Sequence, residues 1–280
     1  NHTGTTISNI NTITNNSDIL NFPNLTTITD AKFVNNAGKT VNFQTTESVV
    51  ISSAPGTVIV NFDNLGTINF SSPDVSFALF GTDTFTFGGT SYSTLGNSGS
   101  ITFPSDGQLN ISGAKFANNA GAIFQLPVAS TISNITNVTN AGTMAAASGA
   151  NVTISTVATF TNSGTLTLPA TNTISTVTNF TNSGTVDGVT NLTITGACIF
   201  NHSGNLSGVA DLTIGDGATF SYNKNTNWSF ANLTIDSGGT LTHAANSTTA
   251  LGKQYAIDFT LSGNLTVNGS INVDGKGYAA

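Results

Sequence analysis

Most versions of one short phrase along this chain close on Asn-x-Gly, and that recurrence constrains the fold more than any other feature. The stretches TTISNINTITNNSD from Thr5, STISNITNVTNAGT from Ser130 and NTISTVTNFTNSGT from Asn172 are variants of a single pattern. Its Thr falls at Thr131, Thr153, Thr173, Thr193, Thr213 and Thr234, each followed directly by an Ile. Six residues after each Ile comes a large apolar side chain: Val138, Phe160, Phe180, Phe200, Phe220 and Leu241. The steps are 20 to 22 residues. Upstream, the glycine column continues through Gly38, Gly66, Gly99 and Gly121.

After these glycines the chain alternates apolar and polar residues, as in GKTVNF, GTINF, GSITF and GTLTL. Such segments, rich in Val, Ile, Thr and Phe, read as short strands. No stretch sustains a 3.6-residue apolar period, so helix content is expected close to nil. A unit of this size cannot bury its apolar side alone. Stacked on its neighbours, it buries a continuous core. The expected fold is therefore all-β: one right-handed parallel β-helix, or β-solenoid, over residues 1–280, with coils of about 20 to 22 residues. The spacing predicts roughly eleven or twelve coils and a rod about 55 Å long. Coils should be most regular over 111–249, irregular with insertions over 45–110, and completed or continued over 250–280.

Columns that share a phase should share a ladder. Phe160, Phe180, Phe200 and Phe220 are expected to stack inside the solenoid. Two residues further on come Asn15, Asn35, Asn64, Asn118, Asn140, Asn162 and Asn182, then His202, Tyr222 and His243. An Asn amide both donates and accepts, so a column of them bonds from coil to coil. The two histidines, two coils apart, are expected to stack on Tyr222 rather than to grip one metal ion.

Charge narrows the function. Only 7% of the chain is charged, with 6 Lys, no Arg and 13 acidic residues, for a formal charge of −7. No basic stripe exists to neutralise phosphates, which argues against a nucleic-acid partner. The apolar 38% recurs in fixed phase, as a buried core requires and a disordered polar tract does not. No run of eighteen apolar residues is present, so no transmembrane helix is expected. A lone Cys198 rules out an internal disulfide and, with the Asn/Thr bias, suits an extracellular protein. The chain opens on Asn1 with no signal peptide in view and reads as a mature or trimmed piece of an exported protein.

Enzymes on such scaffolds need clustered carboxylates, usually with Arg or Lys to stabilise developing charge. Here the acids are scattered. The best pair, Asp216 and Asp236 in the turns IGDGAT and IDSGGT, is a calcium candidate, although Asp beside Gly is also ordinary turn chemistry. Cys198 has no His at a matching position to activate it. The chain is read as a non-enzyme, with no cofactor other than that candidate ion.

FVNNAG at Phe33 and FANNAGAI at Phe116 resemble the FxxN and GGA[ILV] tetrapeptides of chlamydial polymorphic outer-membrane proteins, with Ala120 in place of the first Gly. The repeat as a whole resembles bacterial surface β-helix proteins, namely autotransporter passengers and filamentous-haemagglutinin-like adhesins. The resemblance implies a surface-exposed, non-enzymatic role with no transferable catalytic residues. Two forms of that role are expected. One is an adhesin rod that presents the 45–110 irregularity to a glycan or host surface protein. The other is a subunit of an extracellular filament or sheath, self-associating end to end through uncapped coils. A carbohydrate-binding or carbohydrate-degrading β-helix is the alternative. Ice binding ranks below these, because the T-x-T pairs Thr165–Thr167 and Thr171–Thr173 do not recur in register.

Overall fold

Every strand in the repeat meets its counterpart one coil away. Ile132 pairs with Ile154, Ile154 with Ile174, Ile174 with Ile194, and so on to Ile235 and Val267, all in parallel. The computed structural model describes residues 5–8, 10, 12–45, 47–52, 62–72, 74–79, 85–87, 90–92, 95–104, 106–246 and 254–277. Among them the strands assemble into a 20-stranded and a 9-stranded sheet, plus two small two-stranded sheets. Among the described residues these sheets wrap one core as a β-solenoid, with twelve successive rungs on each of the first two faces and nine on the third. No helix occurs among the described residues, so none is long and apolar enough to cross a membrane.

Each coil has three faces. The first carries the Thr-Ile pair, the second the Phe column, and the third the strand after the glycine. In the four most regular coils the first two faces are one bent strand: Gln108–Asn118, Ala129–Asn140, Asn151–Asn162 and Thr171–Asn182. The bend is made by one residue in the left-handed region: Gly113 (φ 125°), Asn134 (φ 54°), Thr156 (φ 52°) and Thr176 (φ 51°). Left-handed backbone is a genuine outlier for β-branched residues and costs on the order of 1–3 kcal/mol each. A neighbouring side chain offsets part of that cost, because the Thr156 N–H donates to Thr176 Oγ1 at 2.9 Å. Sequence reasoning expected two or three separate short strands here, because neither Thr nor Asn within a strand pattern announces such a bend.

The turn between the second and third faces explains the glycine column. Thr165, Thr185 and Asn205 each donate their N–H to the carbonyl of the preceding coil's glycine, Gly142, Gly164 and Gly184, at 2.8 Å. That carbonyl therefore stands where a Cβ on the next glycine would go. A methyl at Gly164, Gly184 or Gly204 would collide with the Gly142, Gly164 or Gly184 carbonyl oxygen respectively. These glycines are required by closeness of approach, whereas Gly121 is required by conformation (φ +79°) and has open space around it.

The core is the expected set of columns. Phe160, Phe180 and Phe200 stack at 4.6 and 4.5 Å, within 6° of parallel, and Phe220 follows at 5.4 Å, tilted by 35°. The spacing is that of the coils themselves. Toward the N-terminus a second aromatic column stands on the third face, where Phe22, Phe43, Phe70 and Phe103 stack at 4.7–5.3 Å. The irregular region contains an antiparallel hairpin, Phe85–Phe87 with Thr90–Tyr92, between two regular strands. Much of the rest of that insertion, and of the 246–257 irregularity, lies outside the described residues.

The two glycine classes should separate on substitution. Gly184→Ala forces a Cβ into a backbone carbonyl and should cost about 3 kcal/mol or more in urea unfolding, the upper end for overpacking. Gly121→Ala meets only backbone strain and should cost about 1 kcal/mol.

Candidate functional site

The Asn column forms a directional ladder through the buried turn. Each Nδ2 donates to the Oδ1 of the next coil's Asn at 2.7–2.9 Å, from Asn15 through Asn35, Asn64, Asn97, Asn118, Asn140 and Asn162 to Asn182. The second hydrogen is also used: Asn140 donates to the Thr165 carbonyl at 2.8 Å and Asn162 to that of Thr185 at 2.9 Å. Asn97 is the one member that the sequence reading missed. Leu95 replaces the aromatic residue two positions before it, and its coil carries the longest insertion, so Gly99 of its Asn-x-Gly turn is the one column marker beside it.

The ladder ends on a ring. Asn182 Nδ2 lies 3.2 Å from His202 Nδ1, which accepts because Nδ2 has only hydrogens to offer. His202 is buried, and desolvation, aided by the nearby Lys224 charge, pushes its pKa down to about 3. It is therefore a neutral structural acceptor. Tyr222 lies beneath it with ring centroids 5.8 Å apart, its hydroxyl donating to the Thr226 carbonyl at 2.9 Å. His202 thus packs on Tyr222 as expected, whereas His243 turns its Nδ1 onto the Ala244 carbonyl at 2.7 Å. Cys198 is buried, and burial pushes its thiol up to about 12, which removes it as a nucleophile at neutral pH.

Asp216 and Asp236 lie on corner turns of neighbouring coils but one register apart, since Ile214 pairs with Ile235. The Asp216 carboxylate lies over Gly238, on the exposed turn, while Asp236 is half-buried. Among the described residues no group of three or more His, Cys, Asp or Glu side chains converges as a metal site.

One acid that the sequence reading passed over does stand out. Asp63 lies between Phe62 and Asn64 on a strand whose neighbours carry Val34 and Gly96 at that register. Both its carboxylate oxygens are buried and lack a hydrogen-bond partner among the described residues. Burial pushes its pKa up to about 7, opposed by the charge of Lys32, whose own pKa burial lowers. Its signal in the sequence is slight: a single FDN where other coils read FVN, FAN or FTN.

The outward surface of the first face is a second ladder. Thr131 pairs in register with Thr153, then Thr173, Thr193, Thr213 and Thr234, with Thr266 continuing the column. Beside it run Ser133, Ser155, Ser175 and Thr195, also in register. Where this face bends into the second, a shallow groove of about 340 Å³ crosses three coils, with Asn134, Thr156 and Thr176 on its rim.

Columns and ladders together define the class: a parallel β-solenoid with an internal asparagine ladder. No family model matches the chain, and neither the curated proteins nor the solved structures yield a match.

Asn162→Leu keeps the volume but strands the Asn140 donor, the Asn182 acceptor and the Thr185 carbonyl. It should cost about 3 kcal/mol or more in chemical denaturation. His202 and Asp63 should give opposite pH dependences. The depressed His202 pKa contributes stability that is present above its ordinary value of 6.5 and is lost as pH falls toward 3. The raised Asp63 pKa contributes stability that is present below 3.8 and is lost as pH rises through 7. Each effect is on the order of 4 kcal/mol across its window. Between pH 4 and 6.5 they offset one another. Asp63→Asn should therefore leave stability rising with pH there, and His202→Asn should leave it falling, as read by denaturant midpoints.

Proposed function

We propose that this chain is a non-catalytic structural and adhesive rod of the cell exterior, in the class of bacterial surface β-helix proteins, which lengthens by stacking a second copy on its last described coil. One observation carries the reading. Leu233, Ile235 and Leu241 are at most 2% exposed, yet their partners one coil on, Leu265, Val267 and Ile271, are 56%, 43% and 47% exposed. Among the described residues, the inward columns therefore continue into a coil whose far side nothing covers. Covering such half-exposed side chains is worth about 1 kcal/mol each. The open strand edges beside them offer parallel backbone pairing to an added coil.

The first coil offers matching chemistry. Ile7 and Ile13 stand at the heads of the columns that begin Ile7–Ile28 and Ile13–Phe33, and both are only half-buried. A second copy added in parallel continues both columns. The resemblance of FVNNAG and FANNAGAI to surface β-helix motifs, and the Thr/Asn-rich, weakly charged surface, support the placement outside the cell. The same surface suits contact with a glycan or a host surface protein. The Asn ladder suits the rod to bearing load, because each coil is bonded to the next through side chain as well as backbone.

Negative-stain microscopy and sedimentation of the full chain test this reading. Rods in multiples of about 55 Å that become single with Leu265→Lys plus Ile271→Lys support it. Single rods at every protein concentration overturn it.

A further inference from the structure

The pairs Thr165–Thr167 and Thr171–Thr173 lie on different faces, the third and the first, which is why they fall out of register. Thr131 with Ser133, Thr153 with Ser155, Thr173 with Ser175, and Thr193 with Thr195 stand at one register in four successive coils. The Thr column alone then runs on to Thr266. The T-x-T pairs do not recur in register, as expected; the pair that recurs is Thr with Ser.

We propose that the outward first face, from Thr131 to Thr266, adsorbs to ice. Rows on this face are about 4.8 Å apart and columns two residues, about 6.7 Å, apart. A ligand that meets such a lattice equally at every point must itself be periodic in two dimensions, so it is a crystal surface. Three observations select which crystal. First, the Thr column and its two flanking columns carry two ionisable groups over these coils: Asp211, which accepts a hydrogen bond from Asn232 at 2.6 Å, and the half-buried Asp236, two residues after Thr234. An ionic mineral needs rows of charge, and this face has none. Second, the Thr column and its two flanking columns carry no aromatic side chain, because the Phe columns point inward. A crystalline polysaccharide is gripped by rings laid on sugar faces, and none is offered here. Third, threonine supplies a donor–acceptor hydroxyl and a methyl on a stiff, β-branched stem. Its hydroxyls are therefore held in place before contact, and the methyls between them leave niches for ordered water.

Rigidity completes the argument. Long flat sheets are kept flat by side-chain ladders, and the Phe and Asn columns behind this face supply them. The inference extends beyond the structural role and does not depend on end-to-end stacking, because the face lies along the rod rather than at its tip.

The test compares two triple variants of the full chain. Thr153→Lys, Thr173→Lys and Thr193→Lys place charge on the first face. Thr143→Lys, Thr165→Lys and Thr185→Lys place the same charge on the outward column of the third face. Both should keep the β circular-dichroism signature and melt cooperatively. Thermal hysteresis and inhibition of ice recrystallisation are then measured. The unmodified chain should be active, the first-face variant should need about tenfold more protein for the same inhibition, and the third-face variant should match the unmodified chain. Three results overturn the proposal: an inactive unmodified chain, a first-face variant that keeps its activity, or equal loss in both variants. The Leu265→Lys, Ile271→Lys variant separates the two readings, since it should lose stacking and keep ice adsorption.

Discussion

The structure depends on one close contact, the turn where each coil settles onto the one before it. There the residue after a glycine donates to the preceding glycine's carbonyl, and an Asn amide bridges to the next Asn. The two demands reinforce each other. Glycine lets the backbones approach, and the approach brings the amides to 2.7–2.9 Å. The approach also buries them, so an unbonded amide would be costly, and the ladder is the arrangement that leaves none unpaired. A repeating polar core of this kind also sets register. A slip by one residue would strand every amide in the column as well as turn each apolar column outward.

Register, once set, divides the chain into two chemistries. Inward columns hold Phe, Ile, Leu and Asn, and outward columns hold Thr, Ser and Asn. The division breaks down where the ladder ends. After His202 the third face loses its regular strand, the last being Asn205–Leu206, and Trp228–Phe230 pairs instead with Phe259–Leu261. Trp228 lies 5.9 Å from Tyr222 and 4.4 Å from Phe230, with Phe259 edge-on at 5.5 Å. Rings thus fill the space in which the Asn turn and the third face meet elsewhere. The change from amide to imidazole to phenol down one column tracks that change of geometry.

The columns were legible in the sequence because they repeat, and repetition separates signal from composition even in a chain so rich in Asn and Thr. What was not legible has physical reasons. Asn97 was hidden because its coil replaces Phe by Leu95 and follows a long insertion, which left only Gly99 of its Asn-x-Gly turn to mark it. The bends at Asn134, Thr156 and Thr176 were hidden because they fall inside alternating strand patterns, and at two of them a β-branched Thr occupies left-handed backbone, held by stacking that no local pattern encodes. Asp63 was hidden because one acid in a strand looks like surface, and only the fold shows that it is buried. The hydroxyl face was half-visible. The Thr column marks the repeat in the sequence, whereas Ser133, Ser155 and Ser175 join it as a hydroxyl face only in the folded register.

That last point bears on how such a fold acquires function. Inside, every column is committed: a change to Phe180 or Asn162 disturbs both neighbouring coils. Outside, a residue touches mainly its ladder partners, so its identity is free of the core. Yet the outer face of the N-terminal coils carries its own bonded column, Asn21, Asn42, Asn69 and Thr102, linked at 2.7–2.9 Å. The amides there satisfy one another and leave little for a ligand. Threonine is the better outward residue for contact, since its hydroxyl keeps a free valence and its methyl blocks lateral pairing. Along Thr131–Thr266 the solenoid has placed that residue at every rung, on the face behind which the stacked core holds the spacing fixed.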